Sequence, residues 1–126
     1  MIKFTIPVVP RTKKNSQRIL RNQKTGRPFV MQSKKYIEYE NACLLSINAR
    51  YRVKIDYPVN LCATFFMPSK RRVDLVNLLE ALQDALVKAN VLADDNSKIV
   101  KSVDGSRVLY DKEHPRTEVI ISEANI

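Results

Sequence analysis

Apolar and polar residues alternate at the start of the chain, with Ile2, Phe4 and Ile6 set against Lys3 and Thr5. That is the period of two expected of a half-buried strand. Pro7 and Pro10 end it. From Arg11 to Gln32 the pattern lapses into a polar, basic stretch with a turn at Gly26. It reads as a long loop or a loose hairpin, and long loops in compact domains tend to be functional. A helical period begins after Ser33, a suitable N-cap, and runs to about Ala49 with Tyr36, Ile37, Cys43, Leu44 and Ile47 facing inward. Residues 58–67, PVNLCATFFM, form a buried strand closed by Pro68.

The clearest period lies further on. A second helix starts near Asp74 or Asn77, and Leu75, Leu78, Leu79, Leu82, Ala85, Leu86 and Ala89 fall on one stripe roughly 120° wide. Asn77, Glu80, Asp84 and Lys88 occupy the opposite face, and Asn90 suits the left-handed position that ends a helix. IVKSVDGSRVLY and TEVIIS read as two closing strands, joined by DKEHPR. The order β-α-β-α-β-β predicts an α/β (α+β) fold, a single small domain over residues 1–126 with a mixed or antiparallel sheet covered by two main helices.

Composition excludes several classes. No apolar run approaches the roughly 20 residues of a membrane span, and the N-terminus has no signal-peptide pattern. Cys43 and Cys62 stand apart and His114 is the only histidine, so a zinc site is not expected and a reducing cytoplasm fits best. Any metal must then be held by oxygen, which points to Mg²⁺, with Mn²⁺ as the alternative.

The net charge is +9, and its distribution is uneven. Residues 1–37 hold ten Lys or Arg and no acid. Such asymmetry favours nucleic acid through counterion release over a merely solubilising surface. Yet Asp74 to Asp95 gathers five of the thirteen acidic residues: Asp74, Glu80, Asp84, Asp94 and Asp95. Phosphodiester hydrolysis needs carboxylates of this kind to bring metal to the substrate. Each also has a plain structural role available: Asp74 as an N-cap, Asp84 paired with Lys88 at i, i+4, and DDNS as a turn. Period and composition leave both readings open.

The order of the residues narrows them. P-x-x-x-x-N at Pro10 to Asn15, Met67-Pro68 with a basic run, D-L-x-N-L-x-x-A-x-x-D-A-L from Asp74, and the Asp94–Asp95 pair together resemble the RusA family of Holliday-junction resolvases, small endonucleases of phages and bacteria. The resemblance implies a homodimeric, Mg²⁺-dependent endodeoxyribonuclease that resolves four-way DNA junctions by paired symmetric cuts in recombination and repair. It places the metal on Asp74 and Asp95 with Asp94 beside them, and Asn77 and Asp84 on the polar helix face. Lys13, Lys14 and Asn15 match the family's basic N-terminal segment. Arg18, Lys70, Arg71 and Arg72 are further expected DNA contacts.

Two positions depart from the family pattern D-L-D-N-L-x-K: Val76 stands for the second aspartate and Glu80 for the lysine. The net effect is one more negative charge, which suggests that Glu80 has become a ligand and a catalytic residue. The alternative is a catalytically silent binder of DNA junctions or structured nucleic acid; a basic structural protein is a third reading. Twelve helical residues, 77–88, span roughly 18 Å and seven extended ones reach roughly 23 Å. Asp95 therefore returns to Asp74 within one subunit only if the chain runs straight back along the helix; otherwise two subunits share the site.

Overall fold

The computed structural model describes residues 1–13 and 17–124, and side chains are described except at 17–20 and 29–32. The strands are β1 (Ile2–Ile6), β2 (Gln17–Arg21), β3 (Pro28–Gln32), β4 (Val59–Met67), β5 (Val100–Ser102), β6 (Arg107–Tyr110) and β7 (Arg116–Glu123). The helices are α1 (Lys34–Ser46) and α2 (Leu75–Lys88), with a single 3₁₀ turn at Ala49–Tyr51. Five strands form one mixed sheet. β7 lies antiparallel between β1 and β4, and the far edge of β4 pairs in parallel with β5 and β6 in turn. This is the small α+β domain that the sequence predicts.

β4 sits at the centre because it is buried along most of its length, with Thr64 of the second face buried as well. Val59, Leu61, Ala63 and Phe65 are all buried, and they join Leu78, Leu82, Ala85 and Leu86 of α2 in one core cluster. The α2 stripe is thus as expected. Asn90 takes the left-handed conformation at φ 61°, and the chain beyond it is clamped beside Ile55. Lys54 N–H donates to the Asn90 carbonyl at 2.8 Å, Ile55 N–H to Val91 at 3.0 Å, and Ala93 N–H to the Ile55 carbonyl at 2.8 Å.

Four expectations need correction. Of the two readings of the basic stretch the hairpin stands and the long loop does not: β2 and β3 pair residue by residue from Gln17↔Gln32 to Arg21↔Pro28 as a separate two-stranded sheet, with Gly26 at φ 71° in its turn. The buried stripe of α1 is narrower than expected and runs through Tyr36, Tyr39, Cys43 and Ile47, leaving Ile37 exposed and Leu44 half-buried. α1 also stops at Ser46, short of Ala49, because the Arg52 guanidinium takes the Leu44 and Ile47 carbonyls, which an ending helix leaves without partners. Ser33 does cap its start, accepting the Tyr36 N–H at 3.2 Å.

The last correction concerns IVKSVDGSRVLY, which is two strands rather than one. The break at Asp104–Gly105 is fastened to β4 by the Asn60 side chain, whose oxygen accepts from Ser102 Oγ and Asp104 N–H and whose nitrogen donates to the Asp104 carbonyl. Gly105 is required there. Its φ is +87° and an added Cβ would stand 3.0 Å from Cys62 Sγ. Among the described residues no helix is long and apolar enough to cross a membrane.

Candidate active site

Helix α2 carries the acidic segment, and its two ends do different work. At the N-terminus Asp74 is the N-cap: its carboxylate accepts the Val76 N–H at 3.0 Å. Val76, in the first turn, is 69% exposed, so valine there contributes nothing to the core and the departure from the family pattern lies on the solvent face. Asn77 is half-buried and Glu80 exposed on the same side.

Near the C-terminal end the acids meet cations. The Lys13 ammonium donates to Asp84 and lies 5.9 Å from the centre of the Tyr36 ring. Lys88 donates instead to Glu40 of α1 at 2.6 Å, and the Tyr36 hydroxyl reaches Glu40 at 3.3 Å. The i, i+4 pairing of Asp84 with Lys88 therefore does not form. Lysine at 88 finds a helix neighbour and Asp84 is left for the basic N-terminal segment. The hydrogen bond to Asp84 holds the Lys13 pKa above its ordinary value, with Glu80 and Glu40 adding to the attraction. Tyr36 is pushed up chiefly by burial and further by the Glu40 charge.

Asp95 completes this group. It lines a shallow cavity of about 290 Å³ with Lys13, Asp84, Val87 and Lys88. Its carboxyl is raised above the usual carboxylate range, first by burial, then by hydrogen bonding to Asp94 and by the charges of Asp84 and Asp94. Asp94 is turned into its own loop, accepting the Asp95 N–H at 2.7 Å and the Asn96 amide at 3.2 Å. The turn role open to DDNS and the N-cap role open to Asp74 are both realised.

After α2 the chain doubles back by about one turn and not by three. Asp95 comes level with Asp84, whereas Asp74 lies ten residues, roughly 15 Å along the axis, beyond it. Among the described residues no three His, Cys, Asp or Glu side chains gather as a metal set. What one chain brings together is the pair Asp84 and Asp95. Oxygen donors suit a hard cation, and Mg²⁺ is commonly held by one or two carboxylates with water and substrate phosphate completing its shell. The donor chemistry fits.

The remaining expected residues divide. Lys14 and Asn15 lie outside the described residues, as does the side chain of Arg18. Lys70, Arg71 and Arg72 are exposed between β4 and α2, with Lys70 5.4 Å from the centre of the Tyr110 ring. Sequence reasoning missed Glu40 and Tyr36 as neighbours of the site. The only local sign was the Tyr36–Glu40 spacing of one helical turn.

A family model described as endodeoxyribonuclease RusA matches residues 7–122. A curated relative, the crossover junction endodeoxyribonuclease RusA of Aquifex aeolicus (strain VF5), is 38% identical over 42 residues. That match covers 33% of this chain and 33% of the relative's length. With the family model spanning nearly the whole of the α+β domain, the chain belongs to the RusA family of endodeoxyribonucleases.

Proposed function

We propose that the protein is a divalent-metal-dependent endonuclease that resolves four-way DNA junctions by paired, symmetric cuts, acting as a homodimer in the cytoplasm during recombination and repair. Nucleases of the family generally depend on a divalent metal ion, and Mg²⁺ or Mn²⁺ suits the oxygen donors here. When bound, the ion supplies charge stabilisation to the phosphodiester undergoing hydrolysis. The observation that carries the reading is the pocket where Asp84 and Asp95 face a lysine of the basic segment. Two carboxylates kept close at a cost need a cation, and the segment that supplies one is also suited to phosphate.

The roles follow from position. Asp95 and Asp84 hold the ion at one end of α2; Asp94 orients Asp95; Asp74 at the other end completes a site from a second protomer. Glu80, whose charge already acts on Lys13, replaces the carboxylate absent at Val76. Lys13, Lys14, Asn15, Arg18, Lys70, Arg71 and Arg72 hold the DNA. A two-fold dimer matches a substrate that needs two equivalent cuts.

One observation favours a second reading. Val76 is solvent-facing and apolar where the family has a carboxylate, as a silent junction binder would have it. Incubation with a synthetic four-way junction separates the two: the proposal requires nicking that starts on addition of Mg²⁺, and the second reading only a shifted band.

A further inference from the structure

Three arginines from two segments line one cavity. Arg11 follows β1, while Arg71 and Arg72 precede α2, and together they border a volume of about 500 Å³. The cavity is otherwise walled mainly by Val9, Pro10, Met67, Pro68, Val73 and Leu78, with the hydroxyl residues Thr12 and Ser69 also lining it. Its size is that of a small-ligand site. Arginines that met only the phosphates of a duplex would need no apolar concavity beneath them.

An unstacked base does need one. It has two apolar faces and a polar edge, and it is tied on both sides to phosphate. Bases taken out of a helix are held against apolar walls and against guanidinium planes, with hydroxyls meeting their edges. Extrusion is least costly where pairing or stacking is already interrupted, and the branch point of a junction is such a place. The wall residue Val73 immediately precedes Asp74. A nucleotide in the cavity therefore brings its own phosphate to the N-terminal end of α2.

We infer that this cavity is a subsite for a single unstacked nucleotide at the branch point, held by Arg11, Arg71 and Arg72 over an apolar floor. The subsite rests on the junction-cutting activity proposed above. It assigns Arg11 a role in substrate recognition, and it gives the protein a means to tell a branch from a duplex of equal charge.

The test places 2-aminopurine, whose fluorescence rises on unstacking, at the branch point or in mid-arm of a four-way junction, bound in EDTA so that nothing is cut. Fluorescence rises several-fold on binding for the branch-point probe and stays flat for the mid-arm probe. Filling the cavity with Ser69→Trp, or from another wall with Val9→Trp, removes that rise and weakens junction binding roughly tenfold relative to linear duplex, the scale of one lost base-stacking contact. Both variants are compared with the parent by circular dichroism and thermal melting, so that a folding defect in one leaves the other to decide. A silent branch-point probe in a complex that Mg²⁺ then converts to cut product overturns the subsite alone. So does an undiminished rise in a folded cavity-filled variant. Failure to form any junction complex overturns the proposed activity and the subsite together.

Discussion

Replacing Lys13 with methionine removes the cation that stands between the basic segment and the acids of α2. The Lys13 and Asp84 side chains are 29% and 24% exposed, between the rim pairs worth about 0.2–1 kcal/mol and the buried pairs whose rupture costs about 3–5 kcal/mol. An intermediate loss of about 1–2 kcal/mol is expected, because methionine keeps the packing beside Tyr36 but leaves Asp84 and Asp95 facing each other. For a domain of this size that lowers Tm by roughly 4–8 °C. The pKa of Lys13 is raised, so its stabilisation is intact at neutral pH and is lost only as pH climbs through that raised value. Added Mg²⁺ should then stabilise Lys13→Met more than the parent, since the ion takes the place of the ammonium. Saturation at about 100 times Kd contributes about 2.7 kcal/mol. Differential scanning fluorimetry in EDTA and in Mg²⁺ measures both effects. A variant that melts within a degree of the parent, with no larger metal response, refutes the pairing as an energetic link.

Three further outcomes follow from the site. Asp95→Asn abolishes cutting while leaving junction binding in a gel shift. Since a raised acid is costly to ionise as pH rises, the variant also melts higher than the parent at pH 7 and shows no gain once pH falls below the carboxylate range. Glu80→Gln loses well over the roughly 10–100-fold expected of a supporting residue; initial cleavage rates within a few fold of the parent leave Glu80 a solvated helix residue. Asp74→Asn and Asp95→Asn are each inactive alone, but refolded as a mixture they regain activity, because one intact site forms when the two aspartates come from different protomers. A mixture as dead as its components puts the whole site in one chain.

How much of this the sequence disclosed depended on range. α2 and β4 were legible because each repeats its period over many residues, and Asn90 announced its own left-handed turn. The buried α1 stripe is narrower than its apolar pattern, since Ile37 lies one residue off a stripe that Tyr39 completes. The break at Gly105 depends on the Asn60 side chain 44 residues away, which no local pattern encodes. The site suffered most. Lys13 is 71 residues from Asp84, and Lys88 is 48 from Glu40, so helical spacing suggested the wrong partner for both. Asp84 stands among the candidate carboxylates on the polar face, but no local pattern pairs it with Asp95. Only the clamp of residues 90–93 beside Ile55 turns Asp95 back to meet it.

The central claim is that this acidic pocket cuts branched DNA in symmetric pairs. The most direct measurement uses a four-way junction labelled in turn on each strand, incubated with the protein in EDTA, Mg²⁺ or Mn²⁺, and resolved to single nucleotides. The account predicts no cutting in EDTA and, with metal, nicks at matching positions on two opposite strands, giving ligatable duplex products. A protein that binds the junction tightly yet leaves all four strands intact at every metal concentration contradicts it.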